Sequence, residues 1–398
     1  MASPPRRLRL TAAVAVLSLL VLAALVLFVV GRGDDENGDR PADDPRLHSG
    51  APLVVLAEFG QGADEVFVAP ADDPDDRTPV ATVEHASGWG INPAPEMAGS
   101  LAVYTVLPPE VRPQRDSPAE LWLLDVASGE RTRLARDADL LASPVLARDG
   151  STVVYRSSDA GMQELVRIDI ESRARRVLHS VRTEFGVFPV AVAPASNSTV
   201  GESLFSQIST GGTDLYAVSL EGADDGEARH LLHASPQIAR DWQLSPDGAT
   251  LSYLAPEPVA ERVVHRLHVV TLDGTGAQEQ QPPIAGGPAA AEQYGPVWTP
   301  DGAALTVGRE AAPAPTAAAV TLPLDEVRTP TVLAAPAAGF DVPLGWSPDG
   351  GTLAARSFDG RNSADPGAEQ LTLIGVGGER RPITSRSELI FLGWWARG

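Results

Sequence analysis

From Leu53 to Trp395 the chain is written in short runs of alternating apolar and polar residues, broken by clusters of Gly, Pro, Asp and Ser. A period of two marks strands with one buried face, and no stretch here keeps the 3.6 period of an amphipathic helix. One earlier stretch differs: residues 11–30, from Thr11 to Val30, are an unbroken, mostly apolar run that Gly31 ends. At 1.5 Å per residue such a run covers about 30 Å, the hydrocarbon core of a bilayer. Arg6, Arg7 and Arg9 precede it, and Asp34, Asp35, Glu36 and Asp39 follow it. That asymmetry predicts a single-pass signal anchor in the cell membrane, with residues 1–10 cytoplasmic and the rest of the chain extracytoplasmic. A cleaved secretion signal is the competing reading, although its apolar part usually spans only about 7–15 residues and ends in a small-x-small site. Residues 31–50 are polar, acidic and rich in turn formers, which predicts a disordered linker with a reach of about 25 Å.

Within the strand-rich part, one segment sets the frame: Leu344-Gly345-Trp346-Ser347-Pro348-Asp349-Gly350. Pro fixes φ early in the turn, Asp bonds nearby backbone, and Gly takes a positive φ without strain, so the segment predicts a tight hairpin turn. Aligned on its Pro, the pattern recurs at Pro300 and Pro246, at Arg148 in Ala147-Arg148-Asp149-Gly150, weakly at Pro194 and Pro95, and at Ala396. The period is about 50 residues, and each copy is followed by strand-like runs such as 100–105, 151–156 and 202–207, then by a third run such as 120–126 or 164–170. Four strands per repeat at this period predict a β-propeller. Six units are complete. Residues 53–59, 65–69 and 79–84 then read as second, third and fourth strands that lack a first. The segment Leu389–Trp395 repeats Leu344-Gly345-Trp346 as Leu392-Gly393-Trp394 and reads as a first strand that lacks the rest. The expected fold is therefore all-β: a seven-bladed propeller over residues 51–398, closed by N- and C-terminal strands in one blade, since an open ring would leave unpaired edges in water.

Trp346–Gly350 and Trp-Thr-Pro-Asp-Gly at 298–302 resemble the repeat of the TolB-like propellers, with a looser copy at 242–248. The resemblance spans about residues 51–398. It implies an extracytoplasmic propeller and leaves the role open, because the repeat recurs in secretion partners and in peptidase propeller domains. The small α/β domain that precedes the propeller in TolB is replaced here by the apolar run. No hydrolase domain follows the repeats.

Composition narrows the function classes. The net charge of −21 falls on the strand-rich part, since residues 1–50 are charge-balanced, and all basic residues other than His are Arg. Such an acidic surface argues against a nucleic-acid partner. The absence of Cys removes disulfides and Cys-based zinc sites. There is no nucleophile elbow, phosphate loop, His-Glu-x-x-His or dinucleotide fingerprint, so no catalytic residue, metal or cofactor is expected. His230/His233 and His265/His268 are spaced i, i+3, which on regular strands puts each pair on opposite faces. Residues 72–76 lack calcium-loop spacing and read as a solvated hairpin tip. Asn197-Ser198-Thr199 reads as a chance glycosylation match.

The four repeat tryptophans, Trp242, Trp298, Trp346 and Trp394, are expected to pack between blades. Trp89, flanked by Gly88 and Gly90, falls outside the repeat and reads either as a residue that plugs a gap or as a contact residue. Long insertions at 107–118, 255–264, 284–297 and 358–368 fall on the face opposite the Pro-Asp-Gly turns, where a rigid scaffold usually carries its binding loops. Candidate partner-binding residues on that face are Trp89, Arg112, Arg115, Arg240, Asp241 and Tyr294, with Arg as the natural anchor for a carboxylate. The expected function is a membrane-anchored module binding a protein, peptide or glycan of the bacterial cell envelope. The alternative is a propeller hydrolase or lyase with its site in the central funnel, where Arg240, Asp241, Tyr294 and Asp341 lie near inner-strand starts.

Overall fold

A computed structural model describes residues 51–114, 117–159, 161–182, 185–194, 201–221, 227–259, 261–272, 276–280, 291–325 and 329–396. The expected anchor at 11–30, the linker, Arg115 and Asn197 lie outside them. Among the described residues every regular element is a β-strand, and no helix is long and apolar enough to cross a membrane.

The repeat turn forms as its chemistry dictates. In Ser347-Pro348-Asp349-Gly350, Asp349 Oδ1 accepts from Ser347 Oγ at 2.6 Å and from Gly351 N at 2.9 Å. Ser347 Oγ accepts from Thr352 N at 2.9 Å, and Gly350 sits at φ +70°. The same set recurs around Asp301 and Asp247. These bonds hold the Asp349 and Asp247 carboxyls below the usual carboxylate range, the serine hydroxyl contributing most.

Each turn joins the first two strands of an antiparallel four-strand set ordered as in the chain. Gly186–Ala193, Glu202–Ser209, Gly212–Ser219 and Arg229–Ser235 are one such set. Two consecutive sets, Asn92–Pro93 to Glu130–Asp139 and Val145–Leu146 to Arg175–Val181, fuse into one eight-stranded sheet through the single pair Ala138↔Ser157. The termini share a sheet in the order Leu389–Trp395, Leu53–Glu58, Ala63–Pro70, Thr78–Glu84. Its register runs from Leu53↔Trp395 to Glu58↔Leu389, which is the closure expected from the sequence.

The core lies between the sets rather than inside one of them. Tyr104 and Leu124 cluster with Val55 and Trp395 of the terminal sheet, and Val103 and Leu121 cluster with Tyr155 of the following set. The sharing continues from set to set until Leu56 and Trp394 cluster with Ala354 and Leu373, closing the circle. Tryptophan repeats this logic. Trp298 Nε1 donates to Gln243 O at 3.0 Å, Trp346 Nε1 to Thr306 Oγ1 at 2.8 Å, and Trp394 Nε1 to Gly345 O at 2.9 Å. Each indole thus reaches back to the preceding set and satisfies its one donor there. Trp242 instead stacks on Tyr253 of its own set, with ring centroids 4.4 Å apart.

Several expectations need correction. Residues 255–264 are not a loop: Thr250–Val259 and Arg262–Leu272 continue as a paired hairpin through Ala255↔Arg266 to Val259↔Arg262. Pro256 and Pro258 are tolerated there because the set's first strand pairs only as far as Arg240↔Leu254, leaving that side without a ladder to interrupt. The third strand of the set that begins at Gln293 is split: Val320–Pro323 takes the ladder, while Thr316–Ala317 pairs in parallel with Gly339 and Phe340 of the next set. His230 and His233 do not diverge. A register shift skips Leu231, so both rings reach Asp214 Oδ1, at 3.2 and 3.0 Å. His265 and His268 sit in a regular stretch and do diverge, toward Glu292 and Glu257.

Candidate functional site

At the end opposite the Pro-Asp-Gly turns, the inner-strand starts of two neighbouring sets bring a polar cluster together. Glu292 lies just before Gln293–Trp298. One of its oxygens, Oε1, bonds His265 Nδ1 at 3.0 Å, and Oε2 accepts from Ser363 Oγ at 3.2 Å. Arg262 clamps Glu310 with two bonds of 2.9 Å, and Glu310 Oε1 also accepts from Glu292 N at 3.2 Å. Ser363 belongs to loop 359–368 of the next set, which folds over this corner: Arg361 O accepts from Ala311 N at 3.0 Å, and Ser363 N donates to Tyr294 Oη at 3.2 Å.

 Burial alone would raise the Glu292 carboxyl, but the His265 bond, with the His265 and Arg240 charges and Ser363, holds it below its ordinary value. Burial pushes the Tyr294 hydroxyl well above its ordinary value, helped by the nearby Glu292 charge. The Tyr294 ring stacks on Phe340, centroids 5.0 Å apart.

Three of the candidate residues meet here. Arg240 begins its strand with one guanidinium nitrogen 3.5 Å from Asp241 Oδ2 and another 3.9 Å from Glu292 Oε1. These are loose contacts beside the Arg262–Glu310 clamp, and among the described residues Arg240 Nε has no hydrogen-bond partner. Asp241 stands at φ +55°, in the left-handed region that costs a side chain free energy and that marks functional sites more often than ordinary strands. Counted from the repeat prolines, Asp241 aligns with Gly295 of the next set, which sits at φ +46°. The bulge at this point is therefore a feature of the scaffold, and in one set an acidic side chain occupies a position suited to glycine.

Trp89 and Arg112 lie on two other loops, tied at their bases by Ala86 N donating to Leu107 O at 2.9 Å. Trp89 is 37% exposed. The glycines beside it have structural work: a Cβ on Gly90 would come within 2.8 Å of Asp64 Oδ2 and of the Phe59 ring. The loop is held by Asp64, fully buried, which accepts from Ile91 N at 2.8 Å and Gly60 N at 3.1 Å and bonds His85 Nε2 at 3.0 Å. His85 Nδ1 faces Ala86 O at 2.9 Å, so both ring nitrogens meet acceptors. Among the described contacts, none joins Trp89 or Arg112 to the Arg240 group.

Asp341, considered for the funnel, is fully buried and already clamped by Arg380 at 2.7 and 2.9 Å and by Ser357 at 2.6 Å. It holds two outer elements of its set together. At the turn end, Arg148 donates to Leu244 O at 2.7 Å and to the Glu96 carboxylate at 3.0 and 3.2 Å, spanning three sets. Beside it remains a cavity of about 30 Å³ lined by Pro95, Val190 and Trp242, room for about one water. Sequence reasoning missed Glu292, His265, Arg262, Glu310 and Ser363 as a group. The recurring inner-strand bulge was the available signal, since it marks where first strands begin. Among the described residues no cluster of three or more metal-ligating side chains is poised for an ion.

No known protein family's sequence profile matches this chain, and no curated protein does. Solved structures do resemble it. The oligogalacturonate lyase of Vibrio parahaemolyticus is 12% identical with a TM-score of 0.53, covering 85% of this chain and 86% of its own. A putative 6-phosphogluconolactonase from Bacteroides uniformis is 12% identical with a TM-score of 0.51, covering 86% and 97%. TolB from Acinetobacter baumannii is 12% identical with a TM-score of 0.47; the match covers 86% of this chain and 66% of TolB. At these identities the likeness shows the fold alone, a β-propeller.

Proposed function

We propose that this chain is a TolB-like, seven-bladed β-propeller, anchored in the cell membrane by residues 11–30, that binds a protein, peptide or glycan outside the cytoplasm through its long-loop end. The seven-blade count is supported by the four-strand sets and by core clusters that pass from set to set around to the shared terminal sheet. The observation that carries the binding reading is the division of labour around Glu292. Glu310 is neutralised by Arg262, and Glu292 is engaged by His265 and Ser363. Arg240 keeps a weakly engaged guanidinium beside them, able to form stronger charge-assisted bonds with an incoming carboxylate or hydroxyl. A rigid rim of engaged charges around one available donor suits holding a ligand.

The test is affinity capture from membranes and on glycan arrays with the full chain. The variant Arg240→Ala, Asp241→Gly, Tyr294→Phe spares the core, because Tyr294 is buried and Phe keeps its ring. It should lose capture of its partner with an essentially unchanged melting temperature; retained capture would overturn the reading. The anchor is tested separately: protease added to intact spheroplasts should remove the propeller, and protection of the whole chain would rule out this topology.

A further inference from the structure

In the set that begins at Gly186, the fourth strand, Arg229–Ser235, carries two register shifts against the third, Gly212–Ser219. Asp214 faces His233 and Tyr216 faces His230, with Ala234 and Leu231 skipped. Directly facing residues share one side of a sheet, and so do residues i and i+2 of one strand. Asp214, Tyr216, His230 and His233 therefore stand on the same side, although the spacing of the two histidines would separate them on a regular strand. Tyr216 stacks on Phe205 with ring centroids 5.4 Å apart and makes a T-shaped contact with the His230 ring at 5.2 Å, which steadies His230 beside Asp214.

The separations within this group are those of a metal-ligand set. His230 Nε2 and His233 Nδ1 lie 3.2 and 3.0 Å from Asp214 Oδ1. In a tetrahedral zinc site with bonds of about 2.0–2.1 Å, neighbouring ligand atoms are about 3.3 Å apart. Both nitrogens are turned toward the oxygen itself, so the three side chains are not poised around a common point. Rotation about side-chain bonds, rather than a shift of backbone, is what an ion requires. Both imidazoles are 50% exposed and Asp214 is 25% exposed, and exposed side chains change rotamer within nanoseconds. Arg229–Ser235 is also the last strand of its sheet, open to an ion arriving from water. The donor set selects the ion. Two imidazoles with one carboxylate suit Zn²⁺ and its transition-metal neighbours, whereas Ca²⁺ takes six to eight oxygens.

We propose that Asp214, His230 and His233 form a binding site for a divalent transition-metal ion of the zinc class. Asp214 supplies a carboxylate oxygen, His230 its Nε2, His233 its Nδ1, and water the fourth position. Each imidazole binds in its neutral form, with its proton on the other ring nitrogen. The ion replaces the two hydrogen bonds to Oδ1 and ties the outermost strand of the set to its neighbour. Three protein ligands and one position left to solvent set the site apart from a closed structural zinc site. It lies on the outer strands of its set and does not depend on the long-loop reading.

The experiment strips the full chain of metal with a chelator and titrates it with Zn²⁺ by isothermal calorimetry. One Zn²⁺ per chain should bind, and Ca²⁺ should not compete. The double variant His230→Gln, His233→Asn should weaken Zn²⁺ binding by at least about a hundredfold, since losing an outer-shell partner alone costs about 10–100-fold. Both replacements keep an amide within reach of Asp214, so the metal-free melting temperature should hold. Asp214→Asn, tested separately, should weaken binding by at least about tenfold. With excess Zn²⁺ the parent should melt at a higher temperature and the double variant should not, because only an ion bound to the folded state stabilises it. The proposal is overturned if no Zn²⁺ binds, if the double variant or Asp214→Asn binds Zn²⁺ as tightly as the parent, or if Ca²⁺ displaces Zn²⁺ at equal concentration.

Discussion

Ending the chain before Leu389 removes the first strand of the terminal sheet and opens the ring at its seam. Leu53–Glu58 then loses its partner along the whole register from Leu53↔Trp395 to Glu58↔Leu389. Four large apolar side chains go with it: Leu389, Leu392, Trp394 and Trp395, each no more than 8% exposed. At about 1.5–3 kcal/mol per buried side chain, their loss removes about 6–12 kcal/mol, against a total of about 5–15 kcal/mol for a typical domain. The truncated chain should therefore unfold without a cooperative transition or aggregate. Point variants grade the effect. Trp394→Ala should lose about 3–5 kcal/mol, because the ring fills the space between Leu56 and Leu373. Trp394→Phe keeps most of the packing but leaves Gly345 O without the indole donor at 2.9 Å, for a loss of about 1–3 kcal/mol. Urea titration followed by far-ultraviolet circular dichroism measures all three. A truncated chain with the midpoint and slope of the full chain would show that the C-terminal strand is a loose tail, and the closure argument would fail.

Three further outcomes follow from particular contacts. His85 is buried between two acceptors; burial, the largest single influence, would lower its pKa, but the Asp64 bond, the Ala86 O bond and the Asp64 charge together outweigh it and raise it. A raised folded value means that its contribution to stability is complete below about pH 6.5, the unfolded value, and is lost as pH rises through the folded one. Glu388, raised mainly by burial, titrates in the same sense, so the readout is the difference between the parent and His85→Gln: the variant's curve of urea midpoint against pH should be flatter, and an identical slope would refute the assignment. Asp241→Ala should be about 1 kcal/mol less stable than Asp241→Gly, because only glycine takes φ +55° freely; equal midpoints would mean the backbone relaxes. Asp341→Ala should lose about 3–5 kcal/mol by leaving Arg380 inside without its carboxylate, and a loss under about 1 kcal/mol would show that water replaces the carboxylate.

How far the sequence could be read follows from the range of the forces involved. The turn at Ser347-Pro348-Asp349-Gly350 was legible because its bonds join residues two to five positions apart, so the local chemistry is the whole cause. The closing strand was legible because Leu392-Gly393-Trp394 repeats Leu344-Gly345-Trp346, and each repeat Trp from 298 onward bonds back to the set before it. Residues 255–264 were misread as an insertion because the hairpin there extends beyond its neighbouring strand, which stops at Arg240↔Leu254, and the length of that neighbour is not written in the hairpin's own residues. The shared histidine partner escaped because a one-residue bulge changes which face i and i+3 occupy.

The site was the least legible part for the same reason carried further. Ser363 reaches Glu292 across 71 positions, and Arg262 reaches Glu310 across 48. Strand patterning identifies Arg240 and Tyr294 as lying near first-strand starts, yet it cannot show which loop folds over them. That depends on loop 359–368 crossing from one set to its neighbour. What the repeat does supply is a frame for comparison. Set side by side, Gly295 and Asp241 occupy one bulge with φ +46° and +55°, and only the second brings a carboxylate to it. A scaffold that repeats its backbone makes its departures visible, and here the departure falls beside the most weakly engaged cation of the cluster. In a ring of similar units, the positions that break the repeat without weakening the core are the ones at which a substitution separates function from folding most cleanly.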